Sequence, residues 1–333
     1  MDNLHWLVPL ILVALAFDFL NGFHDAANSI ATVVGTRVLS PQFAVLWAAF
    51  FDMIGPLIFG THVAKTIGKG IVDIHIVTPE LVLAALVGAI FWNILTWYYG
   101  IPSSSSHALV GGLVGAGVSA HGTSSLVWWG LGKTVLFIFL SPLIGFVLGS
   151  LVFVVCAWIC RRKTPHRVNT IFRKLQIVSA ALYAIGHGTN DAQKTMGIIF
   201  MLLVSGGYLT ATAPLPIWVI LLCSVAMAAG TASGGWRIVH TMASKLTRLK
   251  PFGGFCAESS AAVALYGASL FGIPVSTTHT ITGAITGVGN TQRSSSVRWS
   301  LASNIVWAWI LTIPCSALVA GGVRLGIKAW LGH

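Results

Sequence analysis

The stretch Gly100-Ile101-Pro102-Ser103-Ser104-Ser105-Ser106-His107 recurs 172 residues later as Gly272-Ile273-Pro274-Val275-Ser276-Thr277-Thr278-His279. The same register carries Gly111 onto Gly283, Gly115 onto Gly287, Gly117 onto Gly289 and Pro142 onto Pro314. A second pair stands nearer the start of each copy. Asn21-Gly22-Phe23-His24-Asp25-Ala26-Ala27-Asn28-Ser29 answers to His187-Gly188-Thr189-Asn190-Asp191-Ala192-Gln193-Lys194-Thr195, 166 residues on. Paired landmarks in one order mark an internal duplication. The expected organisation is a first repeat over residues 1–160, a basic linker over 161–174 and a second repeat over 175–333.

The solvent of both copies follows from composition. Of 333 residues, 56% are hydrophobic and 8% charged, against roughly 25% charged in a soluble domain. Apolar runs such as Leu4–Leu20, Leu81–Tyr99, Thr134–Ile159 and Ile305–Leu325 approach or exceed the ~20 residues a helix needs to cross a bilayer. The 36 glycines suit close helix packing in lipid. These features predict an all-α, multi-pass integral membrane protein whose surroundings are the lipid bilayer. The formal charge of +11 does not point to nucleic acid, because it is concentrated in short connections. Arg161, Arg162, Lys163, Arg167, Arg173 and Lys174 crowd one of them, and such clusters mark a cytoplasmic side. The five cysteines lie in apolar runs without a CxxC and read as small core hydrophobes. The N-terminus lacks the basic region and cleavage site of a signal peptide.

Each copy contains four long apolar segments and one short one that follows its Gly-Ile-Pro. The short segment runs about 15 residues, about 22 Å as a helix, which suits a re-entrant helix better than a crossing. An outside N-terminus and an inside linker imply an odd number of crossings per copy. The two copies then insert in opposite senses, the inverted-topology plan of many secondary transporters.

Polar residues in this apolar background need a reason. Asp25 and Asp191 occupy equivalent positions, flanked by Asn21 and His24 in one copy and by His187 and Asn190 in the other. Asp25, Asn28 and Ser29 share one helix face and offer oxygens for a hard cation such as Na+, or a titrating site for H+. The matching set is Asp191, Lys194 and Thr195. A protonated lysine has no lone pair to give, so Lys194 fills the cation position, pairs with Asp191 or touches the anion.

The Ser-rich pairs supply the anion side. A helix starting after Pro102 or Pro274 presents unpaired N–H groups and a positive dipole end, which together bind phosphate-like anions. Ser103, Ser104, Ser105 and Ser106, with Ser276, Thr277 and Thr278, add neutral donors, the alternative for each being ordinary N-capping. Asn21, His24, His107, His187, His279 and Glu258 are supporting candidates, and Glu258 could titrate during coupling. Asp18 and Asp52 read as lone structural acids. His62, Lys65 and Thr66 align with Arg237, His240 and Thr241 and read as interfacial anchors. No metal ligand set and no cofactor is expected.

The segments GFHDAANSIATVVGTRVLSP, HGTNDAQKTMG, GIPSSSSHALVGG and GIPVSTTHTITGA resemble the inorganic phosphate transporter (Pit) family, across both copies. The resemblance implies a symporter of inorganic phosphate in the plasma membrane, driven by Na+ or H+, in a compact bacterial form. It places substrate and ion residues on Asp25–Ser29, Asp191–Thr195 and the two Ser/Thr runs. Gln193-Lys194 departs from the Asn-like ligand of sodium-coupled members and is similar to bacterial low-affinity, proton-coupled types, which carry phosphate alone or with a divalent metal. H+ is therefore the favoured coupling ion.

Two other readings compete. Sulfate is the alternative cargo within the superfamily. Phosphate is preferred because it still carries a proton at neutral pH and can donate to a carboxylate, whereas sulfate leaves that acceptor unpaired. An intramembrane hydrolase is the remote alternative, but no GxSxG elbow appears and a single nucleophile needs no symmetric copy, so no enzyme is expected. A homo-oligomer is compatible with the sequence.

Overall fold

The computed structural model describes residues 4–331, the side chains of residues 4 and 244 excepted. The extreme ends of the two repeats expected from sequence, 1–3 and 332–333, lie outside the described residues. Twelve α-helices follow one another: α1 (Leu4–Gly35), α2 (Pro41–Ile58), α3 (His62–Gly70), α4 (Pro79–Tyr98), α5 (Ser105–His121), α6 (Trp128–Cys160), α7 (Pro165–Ser205), α8 (Ile217–Ser233), α9 (Trp236–His240), α10 (Pro251–Leu270), α11 (Thr277–Gln292) and α12 (Trp299–Leu331). A π-helical turn, Thr241–Leu246, continues α9.

The sequence sets these limits locally. Pro41, Pro79, Pro165 and Pro251 stand in the first turn of their helices, where a missing N–H is harmless. Ser40 and Thr78 cap α2 and α4 by accepting from the N–H groups of Phe43 and Leu81. The paired sequence motifs fall on helices of similar length. Helices α4 and α10 both have 20 residues, α6 and α12 both have 33, and α5 and α11 have 17 and 16. Isolated bridges join Val72 to Leu126 and Thr247 to Val297 at corresponding places.

Five described helices (α1, α2, α4, α6 and α12) are long and apolar enough to cross a membrane, and α8 with α9 makes a sixth if their 58° bend lies within one span. Their outer faces carry large apolar side chains such as Trp129, Phe139, Leu143 and Leu318, as helices in a bilayer do. Polar residues gather inside instead, along α1 and α7.

The repeats are interlocked. Helix α5 packs on α12, α6 on α11, α1 on α8 and α2 on α7, so each contact pairs one copy with the other. The repeated glycines explain the closest of these. A Cβ at Gly111 or Gly115 would overlap the backbone of Ile313 or Ala317, and one at Gly283 or Gly287 the backbone of Pro142 or Phe146. Small residues at helix crossings let backbones approach in lipid.

One expectation needs adjusting. The basic stretch 161–174 is not a free connection: a turn ends by Thr164, and from Pro165 the chain is already α7, which runs 41 residues. Proline at the helix start and an exposed, charged first few turns extend α7 beyond its apolar part. There Arg173 donates to the Arg37 carbonyl at 2.9 Å, tying the start of α7 to the α1–α2 corner.

Candidate functional site

Two corresponding corners build the centre. Gly100 and Gly272 close α4 and α10 with φ of 65° and 64°, a left-handed conformation open to glycine. The next residues, Ile101 and Ile273, donate back to the carbonyls of Thr96 and Ala268, both at 2.9 Å, completing the helix C-cap. Pro102 and Pro274 then turn the chain, and α5 and α11 begin. Ser104 Oγ accepts from the His107 N–H at 3.3 Å and Ser276 Oγ from the His279 N–H at 3.2 Å. These two hydroxyls are N-caps. Ser103 also turns away from the centre, donating to Thr96 Oγ1 at 2.8 Å.

The next hydroxyls face inward. Ser105 donates to Asp25 Oδ2 at 2.8 Å, and Thr278 to Asp25 Oδ1 at 3.4 Å. Thr277 donates to Asp191 Oδ2 at 2.9 Å. Lys194 Nζ donates to Asp191 Oδ1, to Ser106 Oγ and, at 3.2 Å, to the Val275 carbonyl. Asn28 Nδ2 reaches Thr278 Oγ1 at 2.9 Å. The start of α5 therefore serves Asp25, the start of α11 serves both Asp191 and Asp25, and a residue of the other repeat reaches each start: Lys194 to Ser106, and Asn28 to Thr278. Asp25, Asn28, Asp191, Lys194, Ser105, Ser106, Thr277 and Thr278 form one buried, hydrogen-bonded group.

Histidines orient the carboxylates. His24 Nδ1 lies 2.7 Å from Asp25 Oδ1, and its Nε2 lies 3.1 Å from Thr96 Oγ1. His187 bridges two acids, with Nδ1 at 3.0 Å from Asp52 Oδ1 and Nε2 at 3.3 Å from Asp191 Oδ2. Thr231 donates to the other Asp52 oxygen at 2.7 Å. Asp52, set aside in the sequence as a lone structural acid, is thus linked to the centre. No local spacing could reveal this, since His187 and Thr231 lie 135 and 179 residues away. Tyr183, also unmarked in sequence, is fully buried and donates to the Thr277 carbonyl at 3.4 Å. Ligand atoms of Asp25, His187 and Asp191 all lie within 4.8 Å of one another. That is a set able to hold a cation, where the sequence suggested no metal ligands.

Other candidates stand apart from this group. Glu258 accepts from Ser179 at 2.5 Å and from Gln176 at 3.0 Å, in a separate buried cluster. Asn190 donates to Ser269 Oγ at 3.3 Å, bracing α7 against α10. His107 and His279 meet ring to ring, 4.5 Å between centroids, and His279 stacks on Trp309. Asn21, Ser29 and Thr195 are buried with side-chain polar atoms that find no hydrogen-bond partner among the described residues. Thr66 and Thr241 brace the corners crosswise, donating to the Gly272 and Gly100 carbonyls at 2.6 and 2.9 Å.

An apolar helical bundle, two helix starts and a buried ammonium gathered around acidic side chains define a membrane transporter for a small charged solute. Residues 21–320 match the Phosphate transporter family, and the chain belongs to it. It is therefore a transporter and not an enzyme. A Rhizobium meliloti (strain 1021) protein is 62% identical over 314 residues, 94% of each chain. A Bacillus subtilis (strain 168) protein is 45% identical over 320 residues, 95% of this chain and 96% of the relative. Both are described as "Probable low-affinity inorganic phosphate transporter". Among solved structures, the sodium-dependent phosphate transporter is similar with a TM-score of 0.90 at 26% identity, covering 98% of this chain and all of that one.

Proposed function

We propose that the protein imports inorganic phosphate across the plasma membrane by symport with a cation, H+ in preference to Na+, and that phosphate binds between the starts of α5 and α11. One observation carries this reading. Two N-terminal helix ends with inward hydroxyls, groups that favour an anion, converge on a linked set of three carboxylates (Asp25, Asp52 and Asp191) that holds a single fixed ammonium, Lys194. An anion entering beside those carboxylates in a low-dielectric interior is strongly repelled unless positive charge arrives with it. Cotransport follows from that charge balance.

Ser105, Ser106, Thr277, Thr278 and Lys194 bind phosphate in this account, with the first N–H groups of α5 and α11. Asp25, Asn28 and Ser29 serve the coupling ion in the first repeat. In the second repeat Lys194 occupies the cation position beside Asp191, with Asn190 and Thr195 alongside, which makes Na+ redundant there. The repeats (1–160 and 175–333) insert in opposite senses, with the 161–174 stretch cytoplasmic and α5 and α11 re-entrant. The matched helix lengths, the basic residues at the start of α7 and the shortness of α5 and α11 support this arrangement.

The test is uptake of radiolabelled phosphate by purified protein in liposomes. An inward proton gradient should drive accumulation, a protonophore should abolish it and a Na+ gradient alone should not replace it. Accumulation driven by neither gradient would overturn symport. A second reading, Na+ coupling, is favoured by the likeness to a sodium-dependent transporter and by the oxygens of Asp25 and Thr278. Strictly Na+-dependent uptake would establish it and make Lys194 an anion contact only.

A further inference from the structure

We infer that Asp18 is the carboxyl group that carries the transported proton, in a site of its own, built with Asn21 and Thr195, on the α1 turns preceding the central cluster. The inference rests on the proton-coupled reading above and relocates the proton within it, from the face of Asp25, Asn28 and Ser29 to Asp18.

Five carboxylates are buried among the described residues: Asp18, Asp25, Asp52, Asp191 and Glu258. Four have partners. Asp25 has Ser105 and His24, Asp52 has Thr231 and His187, Asp191 has Thr277 and Lys194, and Glu258 has Ser179 and Gln176. Neither oxygen of Asp18 has a close hydrogen-bond partner among the described residues, although Asn21, Thr195 and Cys223 face it and the side chain is 0% exposed. A buried carboxylate with no close donor and no counter-charge is costly in its ionised form, and taking up a proton relieves that cost.

Its surroundings suit the task. Asn21 and Thr195 face Asp18 from α1 and α7, and Cys223 faces it from α8. Both amide atoms of Asn21 and the Thr195 hydroxyl are themselves buried and unpartnered, so the cluster holds a protonated acid without committing its donors to a permanent anion. The titratable groups facing Asp18 from its neighbours are Asp191 on α7 and Cys223 on α8. Among the described residues no lysine or arginine pairs with it, whereas Asp191 has Lys194.

Position links the site to the cargo. Asp18 lies two helical turns, about 10 Å, before Asp25 on α1, and Thr195 follows Lys194 directly. The Glu258 cluster reaches Thr36 through Gln176, beyond Asp25 in the other direction along α1. With phosphate bound, the acid is neutral and buried. A proton taken from external water onto an Asp18 oxygen is released to cytoplasmic water once that carboxyl is hydrated. The proton moves inward, and no bond in phosphate is made or broken.

Asp18→Asn keeps the size and neutrality of the protonated acid but cannot release a proton. In liposomes the wild type should accumulate phosphate under an inward proton gradient and acidify the lumen. Asp18→Asn should keep phosphate–phosphate exchange at equal pH on both sides. Its gradient-driven accumulation should fall to the wild-type level without a gradient, and luminal acidification should be lost. Asp18→Glu should retain accumulation. Asp18→Asn that still accumulates phosphate under the proton gradient overturns the assignment, as does loss of exchange together with accumulation. If the wild type itself ignores the proton gradient, it is the coupling reading that fails. If the wild type responds and Asp18→Asn responds equally, Asp18 alone is the error.

Discussion

The two repeats present the same frame and different charge. In the first, Asp25 is held by a histidine and hydroxyls, and Asn28 stands where the second repeat has lysine. In the second, Asp191 has Lys194 as a permanent partner, and His187 ties it to Asp52. On the proposed reading, one half carries its own cation as Lys194 and the other takes a mobile one. If that reading holds, a duplicated scaffold holds an anion between two helix starts while assigning the coupling ion to one side.

The largest test of that contrast removes the fixed charge. Deleting one partner of a buried ion pair costs about 3–5 kcal/mol, so Lys194→Ala should abolish uptake and lower the melting temperature in detergent. Asn28→Ala, its counterpart, should leave melting nearly unchanged. Equal losses of stability would remove the distinction between the halves. Lys194→Asn sharpens it further, since an oxygen restored at that position should weaken proton dependence and bring Na+ stimulation, read as uptake under separate gradients.

Next come the inward hydroxyls. Each lost hydrogen bond to a charged group is worth about 1.5–3 kcal/mol, so Ser106→Ala with Thr277→Ala should weaken phosphate affinity strongly in a binding titration. Ser105→Ala with Thr278→Ala should disturb the coupling ion as well, shifting the gradient dependence of uptake. Two pairs with identical effects would mean that the sides are interchangeable.

The frame should respond symmetrically. Gly115→Ala and Gly287→Ala force a methyl against a facing backbone, and overpacking of this kind costs about 1–3 kcal/mol. Both should lower thermal stability by similar amounts. Smallest is the effect of the caps: Ser104→Ala and Ser276→Ala should each cost about 1 kcal/mol of stability with little change in phosphate affinity. Loss of affinity from either cap variant would return those serines to the binding site.

What the sequence showed was whatever repeats. Gly-Ile-Pro, the glycines at the crossings and the paired aspartates each recur at a fixed offset, so their places in the bundle could be read before any fold was known. The direction of individual hydroxyls could not. In a run of four serines, residues 103 to 106, helix geometry alone decides that one braces Thr96, one caps α5 and two face the centre. Partners brought together by the tertiary fold were equally hidden. Asp52 meets His187 across helices, and Glu258 meets Gln176 and Ser179 from some 80 residues away. The basic stretch after Cys160 looked like a loop because charge marks exposure, but the exposed first turns of a helix carry charge as well.

The crossed pairing of α5 with α12 and of α6 with α11 also has a consequence for biogenesis. The glycine face of α5 is synthesised early, and the backbone it packs against, around Ile313 and Ala317, emerges near the end of translation. For most of synthesis the nascent first half therefore waits in the bilayer with an open seam. Quality-control proteases that survey loosely packed helices meet an unfinished chain until α12 has inserted, and a chain that stops before α12 should be degraded rather than persist as a working half.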